Sequence, residues 1–116
     1  IRLNDLVDLA ELRRSLDRRA DTRPIIVTFE SPSCRVTLGL AGDLGFVQGH
    51  SAHGDPPYRV SVSIGSGKGV VSFFLHGEHH TEIPARHLIS ISDAWAAAAT
   101  LLDTGAYLPL IKWDEV

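Results

Sequence analysis

Three histidines, His76, His79 and His80, fall within five residues, with Glu78 and Glu82 beside them and His87 beyond. Imidazole and carboxylate groups are ligands for zinc and related cations, so this is the first place in the chain where metal chemistry could be sought. A zinc site normally fixes its ligands on rigid elements at set spacing, such as the i and i+4 histidines of a helical His-Glu-x-x-His. Here the cluster follows a strand in a Gly-bounded stretch, which reads as a polar loop facing solvent or a partner; no metal site and no cofactor are expected. His80-Thr81-Glu82 also matches the first half of the zinc deaminase signature, His-x-Glu followed by Pro-Cys-x-x-Cys. The second half is missing, because the single cysteine, Cys34, lies upstream.

Other reactive arrangements are equally incomplete. Gly65-Ser66-Gly67-Lys68-Gly69 resembles a phosphate loop, but Val62 stands where a Walker motif needs its first glycine and Gly69 where it needs Ser or Thr. The stretch also lies between two strand patterns, so no helix N-terminus faces a phosphate; a hairpin turn is the reading. Cys34 next to Arg35 has no base nearby in sequence, and no Gly-x-Ser-x-Gly elbow is present. Asp114-Glu115 pairs two carboxylates at the chain end, where fraying is expected to make catalytic geometry hard to hold. The sequence assembles no recognisable active site, and a non-enzymatic role is expected.

The 116 residues suffice for one domain with a real core, and 44% hydrophobic with 22% charged residues is an ordinary globular balance. One cysteine excludes an internal disulfide and any Cys-pair zinc motif. The net charge of −3 and the lack of a basic stripe argue against nucleic acid as a direct partner and favour a basic protein. No stretch has the length of a membrane span, and the first residues do not form a signal-peptide pattern. The expected location is cytoplasmic, away from membranes.

These residues need elements to carry them. Asn4 is positioned to cap a helix running to about Arg19, with Leu3, Leu6, Leu9, Ala10, Leu12 and Leu16 on one side and Asp8, Glu11, Arg14, Ser15 and Arg18 on the other. The arginines at its end suit the negative helix terminus and read as a solvated face. Pro24 opens a strand over Ile25 to Phe29, and Arg35 to Leu40 alternates as a second. A third begins at Phe46-Val47-Gln48. Gly49 to Pro57, with two prolines and two glycines, reads as a loop; Tyr58 to Ile64 and Val70 to Leu75 read as a hairpin closed by the Gly65–Gly69 turn.

In the last third, Ser92 is the expected N-cap of an alanine-rich helix running to Leu102, with Gly105 just past its end. Trp95, Ala98, Ala99 and Leu102 share one face, which Ala94 and Leu101 widen; Asp93, Thr100 and Thr104 lie opposite. The alanines from Ala96 to Ala99 leave room for a sheet to approach. Tyr107 to Trp113 then reads as a strand returning along the helix. The whole is an α+β single domain over residues 1–116: a mainly antiparallel sheet of about five to seven strands with an N-terminal helix and a C-terminal alanine-rich helix packed against it.

The string Glu82-Ile83-Pro84, Ile89, the alanine run from Ala94, Leu101-Leu102, Thr104-Gly105, Pro109 and Ile111-Lys112-Trp113 resembles the first immunity-protein family of bacterial polymorphic toxin systems. Leu38-Gly39, Gly42-Asp43 and Tyr58 extend the similarity to roughly residues 24 to 115. The resemblance implies a non-catalytic antitoxin that binds a cognate toxin domain, often of the deaminase superfamily, as a one-to-one heterocomplex. It also implies structural roles for Pro84 and Pro109 at strand edges or turns, for Gly105 as helix terminator, and for Trp113 as a core anchor. The expected contact surface is the Gly49–Tyr58 loop, the Gly65–Gly69 turn and the His76–Glu82 loop, with Asp55, Tyr58, His79, His80 and Glu82 as leading toxin-binding residues. The alternative is a small α+β module that binds a ligand or metal through His76–Glu82.

Overall fold

A computed structural model of the chain describes residues 6–22, 24–32, 34–51, 58–62, 69–75, 79–109 and 111–115. The elements are α1 (Leu6–Thr22), β1 (Ile25–Glu30), β2 (Cys34–Ala41), β3 (Leu44–Ser51), β4 (Arg59–Val62), β5 (Val70–Leu75), β6 (His79–Pro84), a 3-10 turn (Ala85–His87), β7 (Ile89–Ser90), α2 (Ile91–Thr104) and β8 (Lys112–Glu115). All strands join one sheet in the order β6-β5-β1-β2-β3-β4-β8, with β7 pairing β3. The α+β class, the mainly antiparallel sheet and the two flanking helices agree with the sequence reading.

Strand pairing departs from it at one point. The expected hairpin of β4 and β5 does not form: β4 pairs with β3 and β8, whereas β5 pairs in parallel with β1 and antiparallel with β6. Alternation determines which face a side chain occupies but not which strand lies alongside, and a Gly-rich connection can turn a chain without zipping its flanks. The final strand is shorter than expected, Lys112–Glu115, and it lies on β4 at the sheet edge, with Tyr107 and Leu108 outside the ladder.

Both helices cover one face. Phe29, Val36, Leu38, Leu40 and Val47 meet Ala94, Trp95, Ala98, Leu101 and Leu102 of α2 and Leu16 and Ala20 of α1. Small residues set the spacing: a Cβ on Gly45 would lie 3.2 Å from the Ala94 methyl and 2.6 Å from the Gly39 carbonyl oxygen. Trp95 knits the layers. Its ring is 3% exposed, packs 6.2 Å from Phe29, and donates its indole N–H to Asp17 of α1 at 3.0 Å. Arg13, one turn before Asp17, lies over the same ring at 5.5 Å, so part of the arginine-rich face serves packing as well as solvation.

A second, smaller core occupies the opposite face. Phe46 and Phe73 meet edge to face at 5.1 Å, surrounded by Val60, Leu88, Ile26, Val71 and Ile83. The Phe46 ring lies flat across β2 because Gly39 has no side chain; a Cβ there would sit 2.1 Å from a ring carbon. Two covered faces account for the consecutive apolar residues Ile25-Ile26-Val27, since strands buried on both sides lose their polar alternation.

α2 begins two residues earlier than expected. Ser90 is the N-cap, its hydroxyl accepting the Asp93 N–H at 3.2 Å, and Ile91 opens the helix. Gly105 closes it in the left-handed region at φ 74°. Trp113 is only half-buried; its N–H donates to the Leu108 carbonyl, and its ring meets Tyr107 at 4.7 Å. Trp113 thus packs against the main core from the edge strand, while the nearly sealed tryptophan of that core is Trp95.

Candidate functional site

Strand directions place the loops. β1, β3, β5 and β8 run one way and β2, β4, β6 and β7 the other. One end of the sheet therefore carries the Glu30–Cys34 turn and the flanks of the Ser51 to Tyr58 connection; β5 is slid back along β1, with Phe74 opposite Ile25, so the Leu75 and His79 flanks stop about four residues, roughly 13 Å, short of the Glu30 level. The C-terminal end of α2 lies at the Glu30 end too, where Ser31 Oγ donates to the Leu102 carbonyl at 2.9 Å and Cys34 Sγ to the Leu101 carbonyl at 3.0 Å. The Val62 and Gly69 flanks lie at the opposite end. Of the three expected contact loops only the Gly49–Tyr58 stretch is thus anchored at the Glu30 end, and the other two are separated from it.

At the loop-bearing end a row of polar side chains crosses the face opposite the helices. Glu30 pairs with Arg35 across β1 and β2, and Arg35 with His50 across β2 and β3. Tyr58, just before β4, meets the His50 ring edge-on at 5.3 Å. Residues opposite one another in an antiparallel ladder share a face, so the rung reads carboxylate, guanidinium, imidazole, phenol. Glu30 Oε1 lies 3.1 Å from Arg35 Nε. That pair is ionic without hydrogen-bond alignment, and His50 Nε2 is sealed from solvent with no hydrogen-bond partner. Burial, then the Arg35 charge, hold the His50 pKa below its ordinary value of 6.5.

The expected toxin-binding residues divide across this arrangement. Asp55 lies outside the described residues, as do 76–78. Tyr58 is half-buried in the rung. His79 and His80 are the first residues of β6, paired with Leu75 and Phe74, and Glu82 is exposed opposite Ser72. The stretch read as a polar loop is therefore an edge strand from His79 onward, because β5 and β6 zip together there. Between Tyr58 and β6 lie five inter-strand steps, about 24 Å across the sheet, and His80, level with Ile25, is also set back about 17 Å along the strands from the Glu30 rung. Among the described residues no group of three His, Cys, Asp or Glu side chains is placed to hold a metal ion.

Sequence reasoning missed Glu30, Arg35 and His50 as a group. A signal existed: Glu30 and Arg35 stand on either side of the four residues Ser31-Pro32-Ser33-Cys34, as ladder partners across a tight turn do. His50 was hidden because β3 continues to Ser51, into the stretch read as loop.

Two further clusters have the right atoms for chemistry but the wrong geometry. Ser61 is wholly buried; its hydroxyl accepts the Val47 N–H at 3.1 Å and donates to the His87 carbonyl at 2.8 Å. His87 Nδ1 lies 3.0 Å from the Ser61 main-chain oxygen, and Arg86 Nε donates to Nε2 at 3.4 Å. The imidazole faces a carbonyl rather than the hydroxyl, so the pair is a seam and not a base and nucleophile. It closes the gap where β3 passes from pairing β7 to pairing β4. Cys34 is buried, and burial raises its thiol pKa above 9.0 against a smaller lowering by Ser31. It fills core space as a thiol.

A third group lies by the β4–β8 edge. The exposed Arg59 guanidinium stands 4.9 Å from the Tyr107 ring, which also meets Trp113. Burial raises the Tyr107 pKa, and Arg59 opposes that shift. Arginine, tyrosine and tryptophan are the residue types enriched in binding hot spots. No protein-family model matches the chain, and no curated protein matches it at a significant level.

Proposed function

We propose that this chain is an immunity protein that binds a cognate secreted bacterial toxin one to one and neutralises it in the cytoplasm by covering its active site or substrate channel. The observation that carries the reading is the ordered string from Pro84 through the capped alanine helix, Thr104-Gly105 and Pro109 to Trp113, which resembles the first immunity-protein family of polymorphic toxin systems. The toxin partners of that family are often deaminases acting on nucleic acid. Such an enzyme needs a positive channel for its substrate, and a partner of net charge −3 gains association rate from that field.

A standard interface covers about 800 Å² per partner, a patch roughly 30 Å across; a contact that takes in both Tyr58 and Glu82 runs obliquely over the sheet and wraps the β6 edge, because Glu82 alternates with Ile83 and so leaves the face that carries the Tyr58 rung. Within it Tyr58, His79, His80 and Glu82 are the proposed anchors, with Asp55 in the adjoining connection. The test is co-expression with the neighbouring reading frame. The expected result is that the neighbour alone arrests growth and that this chain restores it. A harmless neighbour, or arrest that persists in the presence of this chain, would defeat the reading.

A further inference from the structure

We propose that the loop-bearing end of the sheet is an acid-sensitive latch: it holds the start of β4 against β3 while the His50 ring is uncharged, and it opens when that ring takes up a proton. The geometry has three parts. β3 and β4 share only two ladder rungs, Gln48 with Val60 and Gly49 with Arg59, so the pairing is short. It is prolonged at its open end by the Tyr58 ring packed edge-on against His50. The His50 ring nitrogen Nε2 is sealed without an acceptor, and a protonated imidazole carries N–H on both nitrogens, leaving one donor buried and unmet.

The described charges around the ring all bear on the sign. Arg35 of β2 is the direct ladder partner, one strand away; Glu30 of β1 is two strands away and already paired with Arg35; Tyr58 contributes an uncharged ring edge. At spacings of about 5 and 10 Å the guanidinium outweighs the carboxylate roughly twofold at equal screening. Protonation therefore sets like charges side by side. The lowered His50 pKa is consistent with this, through burial first and Arg35 second. Because the folded value lies below the unfolded value of 6.5, this contribution is present above 6.5 and is lost as pH falls through the folded value. The latch belongs to the domain alone and does not depend on the partner proposed above.

Amide exchange of the isolated chain, corrected for intrinsic chemistry, tests it. Between about pH 7.5 and about pH 5, opening at the β4 amides of Arg59 and Val60 should rise severalfold, to at most about thirtyfold for an open-state midpoint of 6.5, while Val36 and Leu38 of β2 stay protected. His50→Gln, which cannot titrate, should give a flat profile. Arg35→Gln should move the His50 midpoint, read from its ring resonance, toward 6.5 and weaken the acid opening. The proposal is overturned by a flat wild-type profile, by the same acid opening in His50→Gln, or by loss of protection at all amides together.

Discussion

Gly39 and Trp95 show how single side chains set the layers. The Phe46 ring occupies the space where a Gly39 side chain would project, 2.1 Å from the position of its Cβ. Gly39→Ala should therefore lower stability by about 1–3 kcal/mol, the usual cost of overpacking, read as a lower urea midpoint. An unchanged midpoint would mean the ring moves freely. Trp95→Ala removes a nearly sealed indole and its hydrogen bond to Asp17, and should cost about 3–5 kcal/mol. Trp113→Ala should cost less, because that ring already meets solvent. Cys34 gives a pH-dependent test. Its folded pKa is raised, so its contribution is complete below the unfolded value of 9.0 and is lost as pH rises through the folded value. At about pH 8 iodoacetamide should label Cys34 in urea and leave the native protein unlabelled; rapid native labelling would show that the thiol is accessible.

The elements were legible from sequence in type and face, and less so in boundary and partner. The 3.6-residue pattern located α2, its buried stripe and its Gly105 terminus. It put the cap at Ser92, however, because Ile89-Ser90-Ile91-Ser92 alternates and offers two serines in equivalent settings; β7 ends at Ser90, and that decides it. Ser90→Ala should cost about 1 kcal/mol and Ser92→Ala within about 0.5, measured by thermal or urea unfolding. Equal effects would place the helix start elsewhere. The β4–β5 hairpin failed for a different reason. Val71 and Phe73 are needed beside β1 and β6 to complete the second core, a demand that arises between segments distant in sequence. The same limit hid the polar rung: Glu30, Arg35, His50 and Tyr58 become neighbours only once register aligns four separate segments.

At the scale of the whole molecule, the stretch that carries the family resemblance is scaffold. α2 clamps the sheet and ties its C-terminal end to the Glu30–Cys34 turn through Ser31 and Cys34, and β8 closes the edge beside β4. The polar groups at the loop-bearing end are held in place by that frame without being consumed by the core. No helix among the described residues is long and apolar enough to cross a membrane. The proposal of toxin neutralisation is tested most directly by calorimetric titration of the purified chain with the product of the adjacent reading frame. The account predicts saturable one-to-one binding, weakened by about 2 kcal/mol or more on Tyr58→Ala or Glu82→Ala and left nearly unchanged by Ser92→Ala. Absence of binding would contradict the proposed function; full-strength binding by both contact variants would contradict the assignment of Tyr58 and Glu82 to the contact.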